Sequence, residues 1–296
     1  MEAVVTLAGE GTRMLPWSRG LRKEFLPLYD RGSNGVPVLK PVAHIVVETL
    51  VAAGAHHLTI VHQPRDAAAV RNYFSVDLAF LRRHRQHDER LTETRRLYET
   101  LRRLRISYAV QDRPRGFGDA VARAKESVGG QRFLLHAGDA VLLEPRRGRL
   151  LRAMAALLEG EDLDAVLLVR KVADPRRYGV VEGRPGRSVD GLRRLDVEAM
   201  VEKPARPRSH WAATAVYAFR PSIFAALEKV RREERPNELE LTDGIRALLR
   251  DGGRVASLVL TPRVGEWWSV GSPEGFRRTL ARTRVVAARA SAEPRF

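Results

Sequence analysis

The first chemistry the sequence offers lies in Ala8-Gly9-Glu10-Gly11-Thr12-Arg13, directly after the apolar run Ala3 to Leu7. Two glycines flanking one residue let backbone N–H groups turn toward an anion. A guanidinium beside them can make paired bonds to phosphate oxygens. The pattern is not the dinucleotide fingerprint, because Met14 stands where a third Gly belongs, and it is not a P-loop. The same residues also suit a tight strand-to-helix turn with an exposed Arg, so the turn alone leaves both readings open. A second candidate is Asp139, which follows the run Phe133 to His136 and Gly138. An acid there stands at the carboxyl edge of a parallel sheet, where ligands bind in open α/β folds. One or two carboxylates plus substrate phosphates are the usual setting for Mg²⁺; a helix N-cap or turn Asp is the alternative. No Ser/His or Cys/His arrangement for nucleophilic catalysis is evident.

Positioning these residues takes an alternation of strands and helices. Ala3 to Leu7 reads as a buried parallel strand. Asp30 to Asn34 reads as a polar loop. Val42, Ile45, Val46, Thr49, Leu50 and Ala53 recur at helical spacing, and Gly54 ends that helix. His57 to Val61 is the next strand, which completes a βαβ unit. Asp66 to Phe74 reads as helical, and Leu78 to Leu104 as a long charged helical stretch. Ile106 to Val110, Phe133 to His136 and Ala165 to Val169 read as strands, with helices at Phe117 to Ser127 and Leu150 to Leu158. After residue 170 the rhythm changes to short β pieces: Tyr178 to Val181, Gly191 to Leu195, Ala199 to Glu202 and Ala212 to Phe219. Helices Pro221 to Arg231 and Leu241 to Asp251, strands Val255 to Leu260 and Trp267 to Val270, and a closing helix from Pro273 follow. The expected fold is α/β: a Rossmann-like, mostly parallel mixed sheet with helices on both faces and a small β-rich half. The expected organisation is one domain, with a nucleotide-side half over 1–170, a sugar-side half over 171–272, a helix over 273–290 and a tail over 291–296. His44, His56, His57 and His62 lack ligand spacing to a carboxylate partner and read as structural or exposed.

Leu7 to Met14 and Lys23-Glu24-Phe25-Leu26-Pro27 together resemble the signature of the sugar-1-phosphate nucleotidyltransferase family. The resemblance continues at Gln111 and at Gly116-Phe117-Gly118-Asp119-Ala120-Val121. It recurs at Gly138-Asp139, Tyr178-Gly179-Val180-Val181, Val201-Glu202-Lys203-Pro204, Glu238 to Asp243 and Val270 to Gly275. These motifs keep the family's order over nearly the whole chain. Lys-Glu-Phe-Leu-Pro, and the charged stretch from Asp77 to Arg105, are closer to the uridylyl branch than to the thymidylyl branch, which usually has Gln after the Lys. The resemblance implies the nucleotide-diphospho-sugar transferase fold. It also implies attack of a sugar-1-phosphate (glucose-1-phosphate in the uridylyl branch) on the α-phosphorus of a nucleoside triphosphate. A thymidylyl or cytidylyl preference, or a relative that binds without turnover, are the alternatives. Such a reaction needs positioning and charge neutralisation rather than a protein nucleophile. By resemblance, Arg13 holds the β- and γ-phosphates, Lys23 stabilises charge on the triphosphate, and Lys203 binds the sugar phosphate. Ala8, Gly9, Gly11, Thr12, Gln111 and Gly116 line the nucleotide. Glu202, Gly179 and Thr214 meet the sugar, and Asp139 holds Mg²⁺.

Three departures stand out. The family's Trp-x-Asp-x-Gly, with a second metal carboxylate, is here Trp267-Trp268-Ser269-Val270-Gly271. Ser269 brings a hydroxyl and no charge; a substitute such as Glu266, a metal held by Asp139 and the phosphates with slower turnover, or loss of catalysis would each answer it. Ala215 stands where the sugar side commonly has Gly. An insertion around Arg31 to Leu39 lengthens the loop after Leu28, with a lid or an oligomer contact as its possible uses.

Composition sets the outer limits. The chain has 296 residues, no cysteine and a net charge of +16. Disulfides and thiolate metal sites are excluded. The start, MEAVVTLAGEG, has no basic region of a secretory signal, and no apolar stretch of the length a bilayer needs is present. Cytoplasmic location without a membrane is the expectation. The arginines are dispersed, with no basic tail and no aromatic interleaving, which argues against nucleic acid as partner. A homo-oligomer is expected, with the closing helix as packing or interface.

Overall fold

A computed structural model describes residues 1–85, 88, 91–234 and 237–292. Strand β1 (Glu2–Leu7) is buried from Ala3 onward and runs through the middle of a nine-stranded sheet. A hairpin of β2 (Pro27–Arg31) and β3 (Pro37–Pro41) comes next, followed by α1 (Val42–Ala52) and β4 (His57–His62). Helices α2 (Ala67–Tyr73), α3 (Leu78–Arg83) and α4 (Thr92–Arg103) lead to β5 (Arg105–Val110). Then come α5 (Phe117–Ala122), α6 (Lys125–Val128), β6 (Phe133–Ala137), β7 (Ala140–Leu143), α7 (Arg149–Gly160) and β8 (Ala165–Lys171). The remainder is β9 (Gly179–Val189), β10 (Leu192–Glu202), β11 (Trp211–Phe219), α8 (Ser222–Glu233), α9 (Leu241–Arg250), β12 (Val255–Leu260), β13 (Glu266–Ser269) and α10 (Pro273–Ala292).

The sheet order is β5-β4-β1-β6-β11-β8-β12-β10-β9, and β9 also touches β11. The strands β5, β4, β1 and β6 pair in parallel, as do β8 and β12. Strands β11 and β10 run against their neighbours. The mixed sheet has a core on each face, which follows from the two-residue period of the strands. In β1, Ala3, Val5 and Leu7 face one core, with α1, α4 and α7. Val4 faces the other, with α5, α8 and α9. This is the Rossmann-like α/β arrangement with helices on both faces.

Several boundaries differ from the sequence expectation. The helix expected over Phe117 to Ser127 is two, α5 and α6. The pieces Gly191 to Leu195 and Ala199 to Glu202 are one strand, β10, whose bulges between Leu192 and Arg194 and between Val197 and Ala199 break the alternation. The piece Tyr178 to Val181 is the start of the longer β9. The long stretch Leu78 to Leu104 contains α3 and α4; residues 86, 87, 89 and 90 within it, and 293–296 of the expected tail, lie outside the described residues. Arg31 to Leu39 covers the end of β2, the turn and the start of β3 in the β2–β3 hairpin, which packs against α10. Buried Lys40 anchors the hairpin through Asp30, Glu48 and Glu93 at 3.1, 2.8 and 3.1 Å, and the Ser33 N–H donates to Glu93. Two of the histidines do meet carboxylates: His44 lies 3.2 Å from Glu48, and His57 pairs with Glu2. The first is an i,i+4 pair within α1, and the second ties β4 to β1. No described helix is long and apolar enough to cross a membrane.

His136 sits in β6, fully buried. Burial pulls its imidazole down to about 4. The unfolded chain binds a proton near the ordinary value of 6.5, so between those values it holds more protons than the folded one. Stability therefore rises with pH across that window and is lost as pH falls through it, by up to about 3 kcal/mol. Denaturant midpoints from pH 7 to 4 are expected to fall less steeply in His136→Leu than in the parent; equal slopes would refute the assignment.

Candidate active site

The carboxyl ends of β1 and β6 open into a cavity of about 310 Å³. Gly138 makes the close approach possible: a Cβ there would run into the Leu7 side chain and lie 2.9 Å from the Thr6 carbonyl. Its N–H donates to that carbonyl at 3.0 Å. With this seam shut, the next residue, Asp139, is delivered to the mouth of the cavity. Lys23 Nζ donates to Asp139 Oδ2 at 2.6 Å. Burial pulls the ammonium down, but Asp139 and Glu24 outweigh it and hold it above the ordinary lysine value. The partner mirrors this: burial pushes Asp139 up, and Lys23 and Arg13 hold it below the usual carboxylate range.

Lys23 owes its place to its neighbours. Arg22 is buried, donates to the Leu7 carbonyl and pairs with Glu24 at 3.1 Å and Asp66 at 3.3 Å. Alternate residues are thus clamped beneath the sheet edge, and Lys23 between them points into the cavity. Burial raises Glu24 to about 7, against the pull of Arg22 and Lys23. In a string of letters this buried ion pair looks like two surface charges, and the burial of Glu24 within its motif comes from the fold.

Gly11 is left-handed at φ 71° and Arg13 follows on a short 3-10 turn with Thr12. A methyl built on Gly271 would lie 3.2 Å from Arg13 Nη2, 3.2 Å from Ser269 Oγ and 3.3 Å from Asp139 Oδ2. Arg13, Ser269 and Asp139 therefore converge on one spot. Ser269 arrives there on β13, which pairs with β7 so that Ser269 lies opposite Ala140. Its Oγ accepts from the Gly271 N–H at 3.1 Å. Glu266 does not take over the missing carboxylate. It begins β13, opposite Leu143, and is held by Arg282 and by the Trp268 indole N–H at 2.8 Å. Among the described residues no cluster of three His, Asp or Glu is arranged to hold a metal ion.

Ala8, Gly9, Gln111 and Gly116 line the same cavity. The Ala8 carbonyl accepts from Gln63 Nε2 at 2.7 Å. Gly116 needs its residue type: φ is 97°, and a Cβ would come within 2.5 Å of the Leu239 carbonyl oxygen. Glu240 lines the cavity too and links it to the β9–β10 side, where Lys203 Nζ lies 3.8 Å from Glu240 and 3.0 Å from Glu202. Burial and Glu202 raise the Glu240 carboxyl. Lys203 has a positive φ of 41°, and its N–H donates to the Tyr178 carbonyl. Thr242 Oγ1 donates to Glu202 Oε2 at 2.8 Å, and a Cβ on Gly179 would sit 3.0 and 3.2 Å from those two oxygens. Lys203, Glu202 and Gly179 are thus together.

Thr214 is not with them. It is buried in β11, and its hydroxyl donates to the Leu168 carbonyl at 2.9 Å. Arg170 went unmarked among so many arginines. It lies over Trp267 at 4.7 Å and near the Tyr178 ring, with no carboxylate partner among the described residues, and burial lowers its guanidinium. Ala215 has φ 58° in the bulge of β11, a left-handed conformation that costs a Cβ-bearing residue about 1–2 kcal/mol. Ala215→Gly is expected to raise stability by about 0.5–1 kcal/mol after the entropy cost of glycine, read as the urea midpoint; a lower midpoint would contradict it.

The sequence model described as nucleotidyl transferase matches residues 2–284. A relative named UTP--glucose-1-phosphate uridylyltransferase, from Mycoplasma pneumoniae, is 30% identical over 85% of this chain and 82% of its own. A glucose-1-phosphate thymidylyltransferase from Neisseria meningitidis is 26% identical over 97% of this chain and 83% of its own. Among solved structures, a UTP-bound UGPase from Acinetobacter baumannii aligns with a TM-score of 0.78 at 25% identity, covering 95% of this chain and 92% of that one. An apo UDP-glucose pyrophosphorylase aligns with a TM-score of 0.81 at 22% identity, covering 96% and 98%, a likeness of fold.

Proposed function

We propose that this chain, which belongs to the nucleotidyl transferase family, moves a uridylyl group from UTP to glucose-1-phosphate and releases pyrophosphate. The observation that carries the reading is one cavity whose lining includes both an amide and a cation–carboxylate pair. Gln111 and Gly116 share its wall with Lys23 and Asp139. In this reading Gln111 meets the base, the backbone of Ala8, Gly9 and Gly11 with Thr12 follows the triphosphate, and Arg13 takes the β- and γ-phosphates. Lys23 lies against the α-phosphate. Lys203 holds the sugar phosphate, and Glu202 accepts from sugar hydroxyls beside Gly179. An oxygen of glucose-1-phosphate forms its bond to the α-phosphorus as the bond to the β-phosphate oxygen breaks, and the electron pair leaves with pyrophosphate. Protein groups hold the reactants in line and neutralise charge.

Mg²⁺ belongs to this reading. The Asp139 carboxylate at the cavity mouth and the Ser269 hydroxyl beside it fit an ion that takes one or two carboxylates and fills its shell with phosphate oxygens and water. When bound it supplies positive charge at the phosphates. Cytoplasmic location and self-association complete the reading, the latter supported by Val36 and Leu39, which leave apolar side chains exposed on the hairpin.

The test is pyrophosphate release across a grid of nucleoside triphosphates and sugar-1-phosphates with Mg²⁺. The highest kcat/KM is expected for UTP with glucose-1-phosphate. Equal or better use of dTTP would overturn the uridylyl assignment. Because Ser269 removes a charge, a second reading is a sugar-nucleotide binder without turnover; it would bind UDP-glucose and release no pyrophosphate with any pair.

A further inference from the structure

Gln111 lines the cavity, and the direction of its carboxamide decides which base edge it can meet. Its Nε2 donates to the Gly116 carbonyl at 3.1 Å and to Asp119 Oδ2 at 2.9 Å. Both neighbours can only accept. The carbonyl carries no proton, and the Asp119 carboxylate faces Arg231 at 2.8 Å and Arg123 at 3.5 Å. A carboxamide turned the other way would set its oxygen against two acceptors in a buried place, which is costly. The acceptors are themselves fixed. The N–H groups of Gly118 and Asp119 donate to the Leu239 carbonyl at 2.8 and 3.2 Å, and Asp119 is as buried as Gln111, each 2% exposed. The amide nitrogen is therefore committed to the protein. Its Oε1 takes no hydrogen bond among the described residues and is the atom left for a ligand.

We propose that Asp119, backed by Arg231, is a positioning residue that locks Gln111 as a hydrogen-bond acceptor, so that the site selects a base with an N–H at its pairing edge. Uracil and thymine carry that proton on N3. Cytosine presents a lone pair there, which would face the lone pairs of Oε1. A fixed acceptor admits both imide bases, rejects cytosine, and leaves the choice between uracil and thymine to other groups. The lock deepens the nucleotide reading of the cavity and rests on it.

Asp119→Asn keeps the shape but gives residue 119 an NH₂ that can donate to Gln111, which frees the carboxamide to turn. The ratio of kcat/KM for UTP over CTP is expected to fall by about tenfold or more, mainly through a gain for CTP, while the UTP to dTTP ratio changes by less than about twofold. A purely structural role would lower all three nucleotides together. An unchanged UTP/CTP ratio in a variant that melts as a folded protein overturns the lock, and so does a parent that uses CTP as well as UTP. Should D119N fail to fold, Asp119→Ser, whose hydroxyl can donate as well as accept, is read the same way: the ratio falls in the same direction, and constancy overturns the proposal. For a chain that turns over no nucleotide, dissociation constants for UMP and CMP serve instead. A preference for UMP that narrows in D119N supports the lock, and a preference that persists overturns it. Binding of neither takes down the nucleotide reading and the lock with it.

Discussion

Lys23→Ala and Asp139→Ala are each expected to lower the rate of pyrophosphate release by about 10²–10³-fold while leaving the fold intact. Removing one preorganised charge-stabilising group from an acyl- or phosphoryl-transfer site costs on this order, equivalent to about 3–4 kcal/mol of transition-state stabilisation. The fold has less at stake. Lys23 and Asp139 meet each other across 2.6 Å at a cavity mouth, not within either apolar core. Loss of Lys23 leaves Asp139 still near Arg13, and loss of Asp139 leaves Lys23 beside Glu24. Removing one partner of such a pair exposes the other to a desolvation penalty of about 1–3 kcal/mol. At this chain length that corresponds to a melting temperature lower by a few degrees. The check is kcat beside thermal melting for both variants. A rate within about fivefold of the parent in either would remove these residues from the chemistry, and a collapse of the fold would show the pair to be structural.

The parts of this site that were legible in the sequence are those where one residue type answers one geometric demand. An apolar run ending in Gly138-Asp139 can do little else than end a buried strand at a sheet edge. Gly116 is dictated by a positive φ and by the Leu239 backbone, so its place in the motif reflects the geometry. The parts that stayed hidden are those where tertiary contacts overrule local pattern. Arg22, Glu24, Lys40 and Asp119 are charged residues that the chain buries by pairing, and nothing in their own neighbourhoods announces it. Strand β7 is four residues long and pairs with β13, which begins more than a hundred residues later; no window of sequence contains both. The β2–β3 hairpin hid behind its prolines and its polar turn. Thr214 was marked by its place in a resemblance, but the bulge in β11 spends its hydroxyl on the Leu168 carbonyl. Lys203 and Ala215 show the converse: both hold positive φ without being glycine, and only Ala215 carried a hint of it, standing where Gly is common.

Ser269→Asp is expected to raise the rate and to lower the Mg²⁺ concentration needed for half-maximal rate, each by about tenfold. Partners for the new carboxylate are already in place. The Gly271 N–H already donates to Ser269 Oγ, and the Arg13 guanidinium reaches the same spot. An Asp oxygen can accept both. The new charge would face Asp139 across Gly271, and two carboxylates so placed repel unless a cation lies between them. Without metal the variant should therefore be no more stable than the parent, and lower by about 0.5–1 kcal/mol where Arg13 does not fully compensate. With metal the order reverses, because a ligand that binds the folded state stabilises it by mass action. A tenfold gain in affinity is worth about 1.4 kcal/mol, enough to exceed that loss. Melting curves with and without Mg²⁺ test this independently of turnover: the Mg²⁺-dependent rise in melting temperature should be larger in S269D than in the parent. If the rise is equal in the two proteins and S269D is slower at every Mg²⁺ concentration, then Asp139 and the phosphates already satisfy the ion, and the serine belongs to a site tuned to work with one carboxylate.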